Sequence, residues 1–205
     1  MSEACPYVSR GGLKLAHALD AFGLDPAGLT CADFGCSTGG FTDVLLRRGA
    51  AKVYAVDTGY GVLDWGLRND GRVIVLERNN AMHVELPELM NLIVIDANWT
   101  RQIRVLPNAL KHLRNDGEII TLVKPHYEAD DAERLRKTKG VLPEERLPEV
   151  LVAAERDMAA AGFEVVASER SPIKGSGSKN RRGNAEFLYR LRPLTTGFDP
   201  KTRSS

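Results

Sequence analysis

Four charged residues occupy positions at which an α/β sheet places functional side chains. Asp96 and Lys124 each directly follow an apolar run of strand length, Lys14 lies in a short motif near the start of the chain, and Glu186 stands at the final apolar segment. A single charge at a strand end is usually solvated, but the four residues together, on a fold with a ligand-binding turn, indicate a site. We therefore expect Lys14, Asp96, Lys124 and Glu186 to belong to one functional site.

A glycine-rich turn at residues 33–42 follows the first predicted strand. Glycines allow a tight strand-to-helix turn and a close approach of backbone to a ligand, and the next helix points its N-terminal amides at the same place. Asp57 ends the following strand, where a carboxylate can accept hydrogen bonds from the two hydroxyls of a ribose. Because Ser37 replaces the middle glycine of the dinucleotide fingerprint, a nucleoside cofactor without phosphates, such as S-adenosylmethionine, is favoured over a dinucleotide.

Two other interpretations of this turn have less support. A plain tight turn needs no ligand, but it leaves the position of Asp57 without an explanation. The sequence Gly-Cys-Ser-Thr-Gly also matches the nucleophile elbow of hydrolases, with Ser37, Asp96 and His126 in the order of a triad. That elbow follows several earlier strands, whereas one helix and no strand pair precede Ser37 here, so we reject a hydrolase.

Hydrophobic periodicity predicts helices that alternate with strands along most of the chain. The predicted helices cover 12–22, 40–48, 62–69, 104–113 and 144–161, and the predicted strands cover 30–34, 52–56, 73–76, 92–95, 118–123, 163–168 and 185–191. This alternation predicts an α/β fold with a mostly parallel seven-stranded sheet and helices on both faces. The last two strands follow one another without a helix, which predicts a terminal antiparallel hairpin.

The composition is that of a globular protein. The 205 residues are 43% hydrophobic and 27% charged, with a net charge of +1. No apolar run is long enough to span a membrane and no signal peptide is visible, so we expect a cytoplasmic protein with no membrane partner. Three cysteines without metal-type spacing predict no metal site. We expect one domain over 1–192, including a short N-terminal helix at 10–23, and a polar tail over 193–205.

These residues resemble the FtsJ-like RNA ribose 2′-O-methyltransferases, and within them the TlyA branch, whose members are called haemolysins or rRNA methyltransferases. The resemblance covers residues 7–192, and its motifs lie at 9–15, 33–49, 53–61, 76–81, 122–128 and 171–186. It implies a Rossmann-like class I methyltransferase fold and a Lys-Asp-Lys-Glu tetrad at Lys14, Asp96, Lys124 and Glu186. It also implies S-adenosylmethionine as the cofactor, with binding residues at Asp33, Gly35, Ser37, Gly39, Gly40, Phe41, Asp57, Asn80 and Asp96.

The chemistry of ribose methylation agrees with these roles. A ribose hydroxyl is a very weak acid, so Lys124 would serve as the general base while its amine is neutral. Positive charge on Lys14 and on a sulfonium, together with partial desolvation, favours that neutral form. Asp96 and Glu186 would hold the two lysines in place. The methyl transfer is an in-line displacement, so its rate depends strongly on positioning.

RNA is the partner that the resemblance implies, and rRNA or ribosomal subunits are the expected substrates. Residues 170–183 form the most basic stretch of the chain and precede Glu186. We expect RNA phosphates to be contacted by Arg10, Lys174, Lys179, Arg181 and Arg182. The alternative for the stretch is a solvated flexible loop. Residues 128–139 mix acids and bases and predict a solvated helix or lid.

Two features depart from the family pattern. The chain begins close to Arg10, so we expect it to lack the small N-terminal RNA-binding domain of the TlyA branch, and a partner protein is one means of replacing that domain. The family continues after Asp96 with a Ser-Phe-Ile-Ser-like segment, whereas residues 97–100 are Ala-Asn-Trp-Thr. These departures favour one alternative to the enzyme, a non-catalytic RNA- or cofactor-binding protein derived from a methyltransferase. A methyltransferase for a small molecule is a third hypothesis, which the basic stretch disfavours.

Overall fold

The computed structural model describes residues 5–129, 141–175 and 183–194, and within these ranges strands and helices alternate as the sequence predicts. The strands are β1 (Thr30–Phe34), β2 (Lys52–Asp57), β3 (Val73–Glu77), β4 (Met90–Ile95), β5 (Leu113–Val123), β6 (Phe163–Arg170) and β7 (Phe187–Pro193). The helices are α1 (Gly11–Phe22), α2 (Gly40–Arg47), α3 (Trp65–Arg68), α4 (Gln102–His112), α5 (Pro125–Glu128) and α6 (Leu147–Ala160), with a 3-10 turn at Glu144–Arg146 before α6.

The seven strands form one sheet in the order β3-β2-β1-β4-β5-β7-β6. The neighbours from β3 to β5 pair in parallel, and β7 pairs antiparallel with both β5 and β6. This arrangement confirms the predicted mostly parallel sheet with a terminal antiparallel pair. The direction in which strands are added reverses between β1 and β4, and open α/β sheets bind ligands beyond the carboxyl ends of the strands at such a point.

Each face of the sheet is covered by helices, which explains why the strands are apolar along their whole length. Ile93 and Ile95 of β4 lie in the cluster to which α4 contributes Leu106 and α6 contributes Met158. Leu92 and Val94 of the same strand belong to the cluster formed by α1, α2 and α3, which includes residues such as Leu15, Leu45 and Leu67. The alternation along one strand follows from the two-residue period of strand side chains.

Several element boundaries differ from the predicted ones for local reasons. The helix predicted at 62–69 is confined to α3, because the side chain of Asp64 caps it and accepts a hydrogen bond from the amide of Gly66 at 2.8 Å. The helix predicted at 144–161 begins as a 3-10 turn, and Pro148 stands in the first turn of α6, where its missing N–H is tolerated. Strand β5 begins at Leu113 rather than at 118, because Met90 pairs with Leu113 before a register shift.

The two ends of the predicted domain can be compared with the structure. The helix predicted at 10–23 is α1, flanked by Arg10 and by Gly23, whose φ of 63° ends the helix. Strand β7 ends at Pro193, and the rest of the predicted tail from residue 195 lies outside the described residues. Over the three described ranges, no helix has both the length and the apolar character needed to cross a membrane.

Candidate active site

The glycine-rich turn lies where β1 and β4 end side by side. Gly35 has a φ of 88°, and a Cβ at this position would lie 2.5 Å from the backbone oxygen of Asp96. The Asp96 amide in turn donates to the oxygen of Phe34 at 3.0 Å. A side chain at Gly35 would therefore push apart the two strand ends, so the glycine sets the position of Asp96 as well as the shape of the turn.

Helix α2 starts from this turn with its first amides uncapped by a side chain. Its N-cap residue is Gly39, which has a φ of 100° and can offer no side-chain acceptor. Gly40 packs against the amide of Gly12 and the hydroxyl of Ser9, where a Cβ would approach within 2.8 Å and 2.3 Å respectively. The start of α2 is thus tightly packed against residues 9–12. Its N-terminal amides can donate hydrogen bonds to an electron-rich ligand group.

Asp57 closes the turn from the neighbouring strand. Its two carboxylate oxygens accept hydrogen bonds from the amides of Ser37 at 2.9 Å and Gly59 at 2.7 Å. A carboxylate offers about four lone-pair sites, so two remain for further donors. Ser37 has a φ of 49°, an uncommon conformation for a residue other than glycine, and its amide is held by Asp57 in that conformation.

Asp33 is a buried carboxyl group behind the turn. One of its oxygens accepts from the hydroxyl of Thr42 at 2.7 Å, and the other oxygen, Oδ1, has no hydrogen-bond partner. Burial, with smaller contributions from the negative charges of Asp96 and Asp57, raises the pKa of Asp33 to about 7. A buried acceptor without a donor costs free energy, so a ligand that brings a positively charged donor would be stabilised here.

The Asn79-Asn80-Ala81 segment follows β3 on the far side of Asp57. The amide of Asn79 donates to the backbone oxygen of Asp57 at 3.0 Å. The side-chain oxygen of Asn80 accepts from the amide of Met82 at 2.9 Å. Asn80 therefore shapes the loop that borders the turn, and its role in cofactor binding stays a prediction.

The four candidate catalytic residues form two ion pairs. The Nζ atom of Lys124 contacts the carboxylate of Asp96, and the Nζ atom of Lys14 lies 2.5 Å from Oε2 of Glu186. Lys14, Lys124 and Glu186 are all buried. The side chain of Asp96 is 18% exposed and is the most solvent-accessible of the four.

The antiparallel register places these two pairs next to each other. Val123 of β5 pairs with Phe187 of β7. The next position along β5 is Lys124, and the preceding position along β7 is Glu186, so the two residues face each other just beyond the ladder. Lys14 reaches the same place from α1. The structure therefore brings together all four residues that the sequence singles out.

The basic residues predicted to contact RNA are only partly within the described ranges. Arg10 and Lys174 are exposed, and Lys179, Arg181 and Arg182 lie outside those ranges. Arg10 precedes the helix that carries Lys14. Lys174 adjoins Gly175, where a Cβ would lie 2.4 Å from Oε1 of Glu186. Each described cation is therefore close in sequence to a residue of the Lys14–Glu186 pair or to a residue that packs against it.

Two polar residues near Lys124 were not predicted as site residues. Oδ1 of Asn98 accepts a second hydrogen bond from Nζ of Lys124. The sequence feature that could have identified Asn98 is its position two residues after Asp96, in the segment that departs from the family pattern. His126 is half-buried, and burial together with the charge of Lys124 lowers its pKa to about 4, so it adds no charge at neutral pH.

The expectation that a solvated segment starts at residue 128 is wrong for its first residue. Glu128 is only 3% exposed, and its Oε1 accepts from the amide of Gln102 at 2.9 Å. Burial raises its pKa to about 7. The reason is that α5 packs against α4 and α6, which a polar sequence alone does not reveal. The remainder of the predicted lid, residues 130–139, lies outside the described residues.

Comparison with known proteins identifies the family. The FtsJ-like methyltransferase family model matches residues 7–187. The chain belongs to the FtsJ-like methyltransferase family. It is 42% identical over 195 residues to the 16S/23S rRNA (cytidine-2′-O)-methyltransferase TlyA of Mycobacterium tuberculosis, with 92% of this chain and 69% of that protein covered. It is 38% identical to hemolysin A of Brachyspira hyodysenteriae, with 89% and 75% covered. These matches confirm the predicted resemblance.

Solved structures agree with this assignment. A protein of Streptococcus thermophilus named as a hemolysin superposes with a TM-score of 0.88 at 37% identity, over 96% of this chain and 70% of that chain. A structure from Listeria monocytogenes, named as an S-adenosylmethionine dependent methyltransferase, has a TM-score of 0.63 at 16% identity, over 91% of this chain and 100% of that chain, and shows the fold alone. The predicted Rossmann-like methyltransferase fold is therefore confirmed.

Among the described residues, no group of three or more His, Cys, Asp or Glu side chains is arranged to hold a metal ion.

Proposed function

We propose that this chain transfers a methyl group from S-adenosylmethionine to a ribose 2′-hydroxyl of RNA, with ribosomal RNA as the substrate class. The observation that carries the proposal is the pairing of Lys124 with Asp96 beside the Lys14–Glu186 pair, at the strand ends that border the glycine-rich turn. The names of the relatives at 38–42% identity point to the same chemistry. A cytoplasmic location agrees with an rRNA substrate.

The residues around the turn fit S-adenosylmethionine. The free lone pairs of Asp57 suit the two ribose hydroxyls, and the unpartnered Oδ1 of Asp33 suits the amino group of the methionine part. The cofactor supplies a methyl group on a positively charged sulfur. We assign binding to the residues predicted from the sequence: Asp33, Gly35, Ser37, Gly39, Gly40, Phe41, Asp57, Asn80 and Asp96.

Lys124 is the residue best placed to remove a proton from the ribose hydroxyl. Its amine is buried and held by Asp96, next to the Lys14–Glu186 pair. Glu186 neutralises Lys14 and keeps it at the edge of the sheet, where an ammonium can bind the substrate hydroxyl or the adjacent phosphate. We assign catalysis to Lys14, Asp96, Lys124 and Glu186.

Cations around this group would hold the RNA backbone. Arg10, before the helix that carries Lys14, and Lys174, next to Gly175, are both exposed, and phosphate contacts from such residues fix the register of a nucleic acid without reading its sequence. We assign the same role to Lys179, Arg181 and Arg182. Cofactor binding without methyl transfer would also be the result if RNA affinity depends on a partner protein.

The test is transfer of radiolabelled methyl from S-adenosylmethionine to total RNA and to separated ribosomal subunits. Alkali does not cleave beside a 2′-O-methyl ribose, so the label should persist in alkali-resistant dinucleotides. Lys124→Ala should lower this transfer by about 10²–10⁴-fold, the usual contribution of a general base. Lys111→Ala is the matched control, because this exposed lysine lies at the end of α4 next to the start of β5.

Calorimetric titration with the cofactor completes the test. Lys124→Ala should bind S-adenosylmethionine as the wild type does. Binding without any transfer by the wild type, with or without ribosomal subunits, would favour the non-catalytic binding protein. If the wild type neither transfers methyl nor binds the cofactor, the assignment of the glycine-rich turn is wrong as well.

A further inference from the structure

Asn98 shares the amine of Lys124 with Asp96. Both side chains accept a hydrogen bond from the same Nζ atom, through Oδ1 in each case. Asp96 directly follows β4, whereas Asn98 lies in the loop that leads to α4 and is exposed on the surface. An exposed side chain that reaches a lysine only 4% exposed makes a directed contact with the interior of the site.

A second hydrogen-bond acceptor fixes the direction of the lone pair of a lysine amine. A neutral amine has two N–H bonds and one lone pair in tetrahedral directions. With a single acceptor, one N–H bond is fixed and the lone pair can take either of the two remaining directions. With two acceptors, both N–H bonds are used and the lone pair points in the one remaining direction.

The chemical type of the second acceptor matters as well. An amide oxygen carries no net charge, so it orients the amine and stabilises the ammonium form less than a second carboxylate would. Since a lysine amine donates and an amide nitrogen cannot accept, Asn98 must present its oxygen to Lys124. Its NH₂ group is then turned away from the amine.

We propose that Asn98 is a positioning residue of the methyl-transfer site, which with Asp96 aims the lone pair of Lys124 at the ribose hydroxyl. The proposal rests on the proposed function. In the step, the hydroxyl proton moves to Nζ of Lys124, the oxygen forms its bond to the methyl carbon, and the carbon–sulfur bond breaks with its electron pair left on sulfur. The resulting ammonium keeps its bonds to Asp96 and Asn98, and its third N–H faces the methylated oxygen.

Two substitutions of Asn98 test this role by steady-state kinetics across pH. Asn98→Ala should lower kcat about tenfold, the usual effect of losing one hydrogen bond to a charged group, with the KM for both substrates unchanged. Asn98→Asp keeps an acceptor but adds a charge, so the rise of kcat with pH should move upward by about one unit. Asn115→Ala and Asn115→Asp are the matched controls, since Asn115 is exposed near the opposite end of β5, roughly 30 Å from Lys124 along the strand.

A second measurement reports the protonation state of the Lys124 amine and requires no methyl transfer. Acetic anhydride labels only neutral amines, so the labelling of Lys124, followed by peptide mass spectrometry, reports its protonation at each pH. The midpoint for Lys124 should move upward by about one unit in Asn98→Asp and stay unchanged in Asn115→Asp. Superimposable kcat profiles, or superimposable labelling curves, for Asn98→Asp and wild type would overturn the inference. Absence of transfer by the wild type would instead contradict the proposed function, and the labelling curves would still decide the role of Asn98.

Discussion

Replacement of Asp33 with asparagine is expected to change how the stability of the protein depends on pH. Asp33 is completely buried, and that burial raises its pKa from 3.8 to about 7. Asparagine has nearly the same shape, keeps an acceptor for the hydroxyl of Thr42, and cannot ionise. The substitution therefore removes the ionisation of this one group with little change in packing.

The sign and size of the effect follow from proton linkage. Between pH 3.8 and about 7 the folded protein keeps a proton on Asp33 that the unfolded chain has lost. Unfolding then releases a proton, so the free energy of unfolding of the wild type falls as pH rises through this window. A difference of about three pKa units corresponds to about 4 kcal/mol, at about 1.4 kcal/mol per unit.

Urea unfolding of wild type and Asp33→Asn at intervals from pH 4 to pH 8 measures the effect. The free energy of unfolding of the variant, minus that of the wild type, should rise by about 4 kcal/mol over this range. Glu128, whose pKa burial also raises to about 7, is present in both proteins and cancels. Asp70→Asn is the control: the hydrogen bond from Arg72 lowers the pKa of Asp70 to about 2, so this difference should be flat above pH 4.

A difference between wild type and Asp33→Asn that stays constant from pH 4 to pH 8 would refute the reasoning. It would mean that Asp33 is ionised in the folded protein throughout this range, and therefore that a donor satisfies Oδ1. Only the slope of the difference in free energy of unfolding against pH decides this test. A change in hydrogen bonding that does not depend on pH adds the same constant to that difference at every pH.

Three further substitutions examine the turn and the ion pairs. Gly35→Ala should lower the free energy of unfolding in urea by about 2–4 kcal/mol, because the added Cβ meets the oxygen of Asp96 at a positive φ. Ser37→Gly should raise that free energy by about 0.5–1 kcal/mol, since glycine tolerates the φ of 49°. Glu186→Gln should destabilise the protein by about 3 kcal/mol, because Lys14 stays buried without its partner, and should reduce methyl transfer at least tenfold; an unchanged transfer rate would remove Glu186 from the catalytic group.

The agreement between predicted and observed fold comes from strongly periodic segments. Strand β1 matches its predicted bounds, and the apolar runs before Asp96 and Lys124 are the carboxyl ends of β4 and β5. These runs are apolar on both faces because helices cover both sides of the sheet, and such runs are easily recognised. Boundaries were missed where a polar segment joins a ladder, as at the start of β5, because pairing with a distant strand is invisible in local sequence.

The candidate site was predictable to the extent that its residues follow strands. Lys124 and Asp96 stand at neighbouring strand ends, so their proximity follows from a parallel sheet. The burial of Glu128 could not be predicted, because it depends on how α5 packs against α4 and α6 rather than on any feature of residues 125–128. Asn98 was missed for a related reason, since only the course of the loop after β4 decides whether its oxygen reaches Lys124.

By itself, the sequence determined the alternation of strands and helices, the glycine-rich turn with Asp57, and the identity of the four charged residues. These features depend on local periodicity and on residue types at fixed spacing, which short-range physics dictates. Only the tertiary structure decided which lysine pairs with which acid. That pairing depends on the insertion of β7 between β5 and β6, which sets Glu186 opposite Lys124 and within reach of Lys14. The position of β7 in the sheet is decided by contacts between residues that are far apart in the sequence. The free energy that favours this position comes from burial of a hydrophobic core that forms only when the whole sheet is assembled.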